Sequence, residues 1–419
     1  MTNSFVLKGD ILWSRTPQDM TICENQYVVC EDGVCAGVFP ALPERFASLP
    51  VHDYTGKLII PGLVDLHAHA PQYAFRSLGM DLELLDWLDT QTFPQEARYA
   101  DPDYARRAYT LFVDDLRRSS TTRAVLFGTL HVDATLTLMG LLEDSGLITR
   151  VGKVNMDRNS PDCLREESAA ASLAATRQWL DGCRDFTRSR PILTPRFIPS
   201  CSDALMEGLR DLQRETGLPV QSHLSENQGE IAWVSELCPD STGYGDAYDR
   251  FGLFGGDGCP TIMAHCVWSD EAERARMKQN GVFVAHCPQS TSALSSGIAP
   301  VRAFLNEGLS VGLGSDIAGG VHLNHAAAIA DTIRYPSCMA ARMLSRPHHP
   351  ARSLLSGHPR RRRILRQGRC VRVRLRIRRT HSGRRNAALS VRPVSAGAPD
   401  PCGLPCRRPR CHAQVCFGP

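Results

Sequence analysis

The sequence predicts an α/β protein whose main domain is a closed (β/α)8 TIM barrel. Short apolar segments typical of buried strands alternate with amphipathic segments typical of helices, and we count eight such strands from residue 58 to residue 316. Chemically active polar residues also recur where these strands end. Repeated strand–helix units of this number favour a parallel barrel, and in such barrels the active site lies at the carboxyl ends of the strands.

The N-terminal residues 1–57 are expected to be β-rich. Residues 5–13 and 26–39 have the composition of short strands, and Glu31-Asp32-Gly33 supplies a hairpin turn. This segment is too short to bury a complete core of its own. We therefore predict that residues 1–57 form the N-terminal part of a small β-sandwich domain, which is incomplete in this chain.

The barrel is expected to occupy residues 58–336. Its first strand runs from Leu58 to His69, with a break at Pro61-Gly62. The other strands are predicted at residues 121–127, 150–155, 192–197, 219–223, 261–265, 282–286 and 310–316. The main helices are predicted at residues 78–109 with an interruption at Phe93-Pro94, 103–118, 166–184, 203–216, from about 227, 269–280, 301–307 and about 324–334.

Seven polar residues fall at the predicted strand ends: His67, His69, Arg196, His223, His265, His286 and Asp316. His67 and His69 are two positions apart on one strand, so their imidazoles share a face. A third histidine from a middle strand and an aspartate from the last strand would complete a set of three nitrogens and one oxygen. That set suits Zn²⁺ or Fe²⁺ with one position left for water, whose pKa the metal lowers to near 7.

Two further residues are candidates for proton chemistry. Glu226 follows His223 by three residues and can reach back over the metal as a proton carrier. The alternative for Glu226 is a solvent-facing acid at the start of a helix. His265 could polarise the attacking water or the substrate, and its alternative is a histidine that only supports the metal ligands.

A different zinc-site motif, His-x-Glu with a downstream Pro-Cys-x-x-Cys, is absent from the sequence. The sixteen cysteines are scattered through the chain and are expected to be mostly reduced thiols. Cys201, Cys266 and Cys287 lie near the strand ends without a partner at metal-ligand spacing. We interpret these three as core fillers or free thiols.

Six segments resemble the metal-dependent amidohydrolase superfamily: PGLVDLHAHAPQ, LTPRF, QSHLSEN, MAHC, AHCPQSTSALSSG and GLGSDIAGG. LLDWLDTQTFPQEARY, VGKVNMD and TPRF are similar to the guanine deaminases within it. The resemblance covers about residues 5–335 and implies hydrolytic deamination of guanine to xanthine and ammonia, a small purine as substrate, one zinc per subunit and a homodimer.

The resemblance also implies roles for individual residues. It implies that the metal ligands are His67, His69, His223 and Asp316. Glu226 and Asp316 would carry protons, and His265 would stand beside the metal-activated water. The residues that read the purine would be Gln72, Arg196 and Phe197, with Trp87 helping to close the pocket. These residue types fit that task, because Gln offers a donor and an acceptor, Arg a fork of donors and Phe a stacking face.

The last part of the chain, residues 337–419, differs in composition from the rest. After Cys338 there are twenty Arg, one Asp and no Lys or Glu. We expect an aberrant, disordered tail that arises from a reading-frame change, and low stability or solubility for this chain. With permitted GC-rich codons, a shift of one nucleotide turns residues 353–369 into LYFLATLGGGAFFGKVG, which looks like the missing C-terminus. The coding DNA near codons 335–345 tests this hypothesis.

Three alternatives remain from the sequence. The enzyme could act on another aminopurine, a pterin or a triazine. The chain could be an inactive frame-shifted product. Its basic tail could also form a nucleic-acid-binding arm or a small zinc module, although irregular ligand spacing argues against both. No apolar run is long enough to cross a bilayer and no signal peptide is evident, so we expect a cytoplasmic protein without a membrane partner.

Overall fold

The structure, a computed structural model of the chain, describes residues 4–16, 19–256 and 258–343. These residues divide into two compact units. Of the described residues, the first unit contains 4–15 and 20–61, and the second contains Thr16, Asp19 and those from Gly62 to Met343. The predicted tail comprises residues 337–419. Its residues 344–419 lie outside the described residues. The backbone of residues 337–343 continues a helix that ends at Met343.

The first unit is built on a four-stranded sheet. Its strands are β1 (Phe5–Thr16), β2 (Asp19–Glu31), β3 (Val34–Phe39) and β4 (Val51–Ile59), in the order β3-β2-β1-β4. β2 and β3 form an antiparallel hairpin in which Glu31 pairs with Val34. Asp32 and Gly33 both have positive φ angles, 47° and 76°, as a tight hairpin turn requires. This is the turn that the sequence predicted. Leu58 and Ile59, expected on the first barrel strand, belong to β4.

The strands of the second unit are β5 (Leu63–His69), β6 (Thr121–Phe127), β7 (Ile148–Gly152), β8 (Val154–Asn155), β9 (Ser189–Pro191), β10 (Thr194–Pro195), β11 (Val220–Leu224), β12 (Thr261–His265), β13 (Phe283–His286) and β14 (Ser310–Leu313). They pair in parallel as β5-β6-β7-β9, β8-β10 and β11-β12-β13-β14. β7 with β8, and β9 with β10, each occupy one strand position. Within the described residues this gives eight positions and confirms the predicted barrel.

Backbone hydrogen bonds close the ring of strands. Leu193 and Val220 form a parallel bridge that connects the β9–β10 position to β11. At the opposite seam, Asp316 N–H donates to the His67 carbonyl at 2.9 Å, and His69 N–H donates to the Ile317 carbonyl at 3.1 Å. The last strand position therefore lies beside the first, and residues far apart in the sequence meet at this seam.

The helices pack outside the strands. They are α1 (Leu84–Trp87), α2 (Phe93–Ala97), α3 (Pro102–Arg118), α4 (Val132–Ser145), α5 (Ala169–Gly182), α6 (Asp203–Thr216), α7 (Gln228–Leu237), α8 (Tyr244–Arg250), α9 (Glu271–Asn280), α10 (Pro288–Ala293), α11 (Val301–Glu307) and α12 (His325–Met343). The predicted 78–109 segment is helical from Leu84 onward but divided into short helical segments, and α3 already begins at Pro102. α12 extends past the expected end at Arg334. Among the described helices, none combines the length and apolarity that crossing a membrane requires.

A bulge in β5 decides which of its side chains face the barrel interior. Val64 and Leu66 belong to the interior cluster formed by strand residues, whereas Ala68 packs in the outer cluster with α3 and α4. The pairing of β5 with β6 shifts register between Asp65 and Ala68. Because a bulge re-aims the residues that follow it, the strand can point apolar side chains inward and then place His67 and His69 over the same interior.

Candidate active site

Three imidazoles and one carboxylate meet at the mouth of the barrel. His67 and His69 end β5, His223 lies near the end of β11, and Asp316 follows β14. His69 Nε2 lies 3.1 Å from His223 Nε2. Asp316 Oδ1 lies 3.1 Å from His67 Nε2 and 3.6 Å from His69 Nε2. The structure thus brings together the four residues that were predicted as metal ligands.

The orientation of His223 is set by a hydrogen bond outside the cluster. His223 Nδ1 lies 2.6 Å from the Arg196 carbonyl oxygen, so Nδ1 carries the proton that this acceptor requires. In the neutral ring this leaves Nε2 with its lone pair, directed at His69. A backbone carbonyl that holds the far nitrogen is the usual support of a metal-bound histidine.

The polar atoms of this cluster fit a divalent transition metal. His67 Nε2 is buried and makes no well-formed hydrogen bond to any described residue. Two overlapping sets of three residues could each hold a metal ion: His67, His69 and His223, and His67, His265 and Asp316. Within each set, the candidate ligand atoms lie within 4.8 Å of one another. Two facing Nε2 atoms 3.1 Å apart gain little from each other, whereas one cation between them would satisfy both.

The protonation states of these groups also suit metal binding. Burial and the neighbouring His67 imidazole lower the pKa of His69 well below its usual value. Burial, with His67 and His265 nearby, does the same to the pKa of His223. Burial acts to raise the pKa of Asp316, but the imidazoles of His67 and His265 outweigh it and hold that pKa well below its usual value. Neutral imidazoles and an ionised carboxylate are the forms that bind a metal.

Glu226 and His265 form a second pair beside the cluster. His265 Nε2 lies 3.1 Å from Glu226 Oε2 and 3.8 Å from Asp316 Oδ2. The Ser296 hydroxyl donates to Glu226 Oε1 at 3.1 Å. Both residues are buried, at 3% and 1% exposure. Glu226 is therefore not the solvent-facing acid that the alternative interpretation described.

Burial separates the proton affinities of this pair. Burial, together with the carboxylates of Asp316 and Glu230, raises the pKa of Glu226 well above its usual value. Burial lowers the pKa of His265 to about 3, despite the nearby Asp316 carboxylate. Glu226 can therefore hold a proton at neutral pH while His265 remains neutral, which is the arrangement expected of a general acid beside a neutral hydrogen-bonding partner.

His265 and Asp316 both adopt the left-handed backbone region, with φ angles of 71° and 45°. Residues other than glycine rarely adopt this region, and it commonly marks functional sites. At His265 the turn directs the side chain over the interior, although Ile262 and Ala264 of the same strand already face inward. The fold thus accepts unfavourable backbone geometry where both side chains approach the cluster.

A cavity that is partly open to solvent lies over the cluster, with about 430 Å³ of empty space that includes open solvent. Its lining includes the predicted residues His69, Gln72, Trp87, Arg196, Phe197, His223, Glu226, His265 and Asp316. Leu84, Leu88, Glu230 and Leu294 complete it. Its walls combine five apolar side chains with eight polar or ionisable ones, and a concave site with several convergent polar groups is typical of a small-molecule site. His286, which also ends a strand, is not among the lining residues.

The four residues predicted to bind substrate occupy the walls of this cavity. Trp87 is held by a 2.9 Å hydrogen bond from its Nε1 to the Leu78 carbonyl and packs near Phe75. Phe197 is 5% exposed, with its ring edge-on to Trp233. Gln72 and Arg196 are almost fully buried, at 2% and 3% exposure.

The sequence interpretation missed Glu96. Its carboxylate is 2% exposed and accepts hydrogen bonds from Gln72 Nε2 at 2.8 Å and from Arg196 Nη1 at 2.6 Å. The only sequence signal was its position inside LLDWLDTQTFPQEARY, where it looks like any helical glutamate. Glu230 was also missed. Burial raises the pKa of Glu230 to about 8, and its Oε1 accepts the Glu226 backbone N–H.

The three cysteines near the strand ends are packed into the fold. Cys201, Cys266 and Cys287 are completely buried. Burial raises the pKa of Cys201 to about 12 and the pKa values of Cys266 and Cys287 well above their usual value. They are thiols at neutral pH, and none of them lines the cavity.

Comparison with known proteins shows which families of proteins this chain is similar to. The model of the Amidohydrolase family matches residues 58–351. A guanine deaminase of Dictyostelium discoideum is 40% identical over 286 residues, which are 68% of this chain and 63% of that protein. A probable guanine deaminase of Schizosaccharomyces pombe is 39% identical over 291 residues, which are 67% of this chain and 54% of that protein.

The fold is also similar to a solved structure, that of guanine deaminase from C. acetobutylicum with guanine bound in its active site. The two chains superpose with a TM-score of 0.82 at 42% identity, over 85% of each chain. The chain spans only 54% and 63% of the lengths of the two curated relatives above.

Proposed function

Because this chain belongs to the amidohydrolase family, we propose that its site deaminates guanine hydrolytically to xanthine and ammonia. One observation carries the proposal. One cavity is lined both by His69, His223 and Asp316 of the proposed metal site and by Gln72 and Arg196. The binding of guanine by the similar enzyme from C. acetobutylicum supports this choice of substrate.

We assign the metal site to His67, His69, His223 and Asp316, and we propose zinc as the metal. Three neutral imidazoles and a carboxylate are a common donor set for catalytic zinc, and iron(II) accepts a related set. When bound, the metal supplies a water whose pKa is lowered from about 15.7 to near 7, so that a hydroxide nucleophile is available at neutral pH.

Asp316 has two roles in this proposal. Its Oδ1 faces His67 and His69, and its Oδ2 faces His265. Because its pKa is held low, Asp316 is ionised and can accept a proton from the attacking water at Oδ2. His265 lies next to that oxygen and remains neutral, so it can orient the water by a hydrogen bond.

Glu226 is the proposed general acid. Its raised pKa keeps a proton on the carboxyl group at neutral pH, and Ser296 and His265 hold its two oxygens in place. Transfer of this proton to a ring nitrogen next to the reacting carbon would break the aromaticity of the base and favour attack. The C–N bond to the amine then breaks, and the proton that Asp316 received leaves with the amine as ammonia. The hydroxyl proton of the added oxygen returns to Glu226 as the new carbonyl group forms.

Gln72, Arg196, Phe197 and Trp87 are proposed to bind the base. Arg196 offers only donors and suits the carbonyl oxygen of guanine, whereas Gln72 can both donate and accept. Phe197 and Trp87 supply aromatic surface for a flat ring. These walls surround the cluster and so hold the reacting carbon near it while restricting the access of bulk water.

The direct test is an assay of the purified full chain. Metal content is measured by mass spectrometry, and xanthine and ammonia are quantified after incubation with guanine. We expect about one equivalent of zinc and turnover of guanine well above that of adenine, pterin or a triazine. Turnover of one of those compounds in preference to guanine, or a metal-free chain inactive with all of them, would contradict the proposal.

The homodimer and the cytoplasmic location remain predictions from the sequence. Sedimentation of the purified chain and fractionation of the producing cells test them separately from the chemistry.

A further inference from the structure

The Glu96 carboxylate connects the two polar side chains of the cavity wall. Its Oε1 accepts from Gln72 Nε2 at 2.8 Å and from Arg196 Nη2 at 3.2 Å, and its Oε2 accepts from Arg196 Nη1 at 2.6 Å. All three side chains are at most 3% exposed. Glu96 does not itself line the cavity. It therefore acts on a ligand only through Gln72 and Arg196.

Two residues of the short helix α2 contact the Arg196 side chain. Phe93 and Glu96 are three residues apart on this helix and therefore lie on the same face. The guanidinium carbon of Arg196 lies 5.0 Å from the centre of the Phe93 ring, while both terminal nitrogens bind the Glu96 carboxylate. A guanidinium held by a ring and a carboxylate has a defined plane, so its remaining N–H groups point in set directions.

The amide of Gln72 is held in one orientation. Its Nε2 donates to the Glu96 carboxylate, and its Oε1 accepts the Ala318 backbone N–H at 3.3 Å. The flipped amide would place an oxygen against the carboxylate and an NH2 group against the Ala318 N–H. Both contacts would be repulsive, so the choice of donor and acceptor at Gln72 follows from its neighbours.

The charge of the wall follows from the same contacts. Arginine side chains are cations in proteins, and Arg196 forms a buried ion pair with the Glu96 carboxylate. The pair leaves little net charge to attract an anion. The wall thus presents directed N–H donors from Arg196 together with one donor and one acceptor from Gln72, which suits a neutral base with a ring carbonyl.

We propose that Glu96 is the positioning residue that sets base specificity, and that it restricts the site to neutral oxo-purines by fixing Gln72 and Arg196. This inference rests on the proposed function for its substrate class. It goes further in assigning the discrimination to a carboxylate outside the cavity. The probe for discrimination is 2-aminopurine, which keeps the amine that would be removed and lacks the 6-oxo group.

The test compares Glu96→Gln with a matched control, Glu166→Gln. Glu166 also pairs with a buried cation, Lys153, and accepts a further hydrogen bond from the Met156 backbone N–H, but none of these residues lines the cavity. For Glu96→Gln we expect kcat/KM for guanine to fall about 100-fold, mainly because KM rises. We expect kcat/KM for 2-aminopurine to change only a few-fold. Glu166→Gln should leave the ratio of the two substrates unchanged.

A double variant separates positioning from folding. In Gln72→Glu/Glu96→Gln, the new amide can donate to the new carboxylate and accept from Arg196 Nη1, and only the 3.2 Å bond from Arg196 Nη2 is lost. Much of the network, and with it the melting temperature, should therefore recover relative to Glu96→Gln. Residue 72 then has no donor, so the preference for guanine over 2-aminopurine should remain lost. Recovery of this preference together with the melting temperature would show a purely structural role and overturn the inference.

A binding measurement separates this inference from the proposed function. The metal is removed by chelation, 2-aminopurine binding is followed by its fluorescence, and guanine is added as competitor. If the unaltered chain turns over guanine and Glu96→Gln keeps the substrate ratio, the inference fails and the function stands. If the unaltered chain binds guanine in preference to 2-aminopurine without turnover, and Glu96→Gln loses this binding preference, the function fails and the inference stands. If it neither binds nor converts guanine, both fail.

Discussion

Asp65 and Ser315 are joined by two hydrogen bonds across the seam that closes the barrel. The Ser315 backbone N–H donates to Asp65 Oδ1 at 3.0 Å, and the Ser315 hydroxyl donates to Asp65 Oδ2 at 2.6 Å. Both residues are buried. Asp65 Oδ1 also accepts the His67 backbone N–H at 3.2 Å. Since Asp316 follows Ser315, this one carboxylate ties together the backbone around two of the proposed metal ligands.

We therefore expect Asp65→Asn to weaken metal binding, because an amide cannot accept all three of these hydrogen bonds. Supports of metal ligands typically contribute about tenfold or more to affinity. Competition with a chelator measures the effect. Asp157→Asn is the matched control, because Asp157 accepts from the Ser202 N–H at 2.7 Å and from its hydroxyl at 2.5 Å but supports no proposed ligand. Equal metal affinity in the two variants would contradict this role of Asp65.

Glu226→Gln should abolish most turnover and leave metal binding intact. The variant keeps the shape of the side chain but cannot deliver a proton in the same way, and loss of such a group typically costs on the order of 10² to 10⁴ in rate. Steady-state kinetics with guanine and metal analysis of the same sample check this. Glu271→Gln, at an exposed position on α9, serves as control. Normal turnover by Glu226→Gln would remove Glu226 from the mechanism.

Metal removal should lower the melting temperature, because an ion that binds only the folded chain stabilises it. The stabilisation is about 2.7 kcal/mol when free metal is 100 times its dissociation constant. His69→Ala should lose most of this dependence, since it removes one of the four proposed ligands. His52→Ala changes an exposed histidine of the first unit and should keep it. Melting curves with and without a chelator decide, and the same metal dependence in both variants would refute the assignment of His69.

Glu143 should make the fold sensitive to acid. Burial acts to raise the pKa of Glu143, but hydrogen bonds from the Thr187 hydroxyl and from the backbone N–H groups of Thr187, Arg188 and Ser189 outweigh it and lower that pKa. The folded chain therefore binds the proton less tightly than the unfolded chain. This stabilisation is present above the unfolded pKa and is lost as the pH falls through the lower folded pKa.

Glu143→Gln should consequently be less stable than the unaltered chain at pH 7, and the difference should shrink below about pH 4. Urea unfolding at several pH values measures it. Glu207→Gln on the exposed surface of α6 is the control and should show no such trend. A difference between Glu143→Gln and the unaltered chain that is the same at pH 7 and at pH 3 would contradict the prediction.

The strand–helix alternation and the polar residues at the strand ends were sufficient to predict the barrel and a candidate metal site of three histidines and an aspartate at its mouth. The choice of His223 as the third histidine came from the family resemblance. His67, His69, His223 and Asp316 carried signals that depend on local periodicity and on position at a strand end. Glu96 carried no such signal. Its importance comes from contacts with Gln72 and Arg196, the second of which is 100 residues away in the chain.

The sequence by itself therefore determined which residue types stand at the mouth of the barrel, because strand periodicity and chain order are local properties. Only the tertiary structure decided how they face one another. The bulge in β5 turns His67 and His69 inward after Leu66, and the left-handed backbone at His265 and Asp316 directs both toward the cluster. Such features depend on closure of the barrel, where long-range hydrogen bonds and burial outweigh the local preferences of the chain.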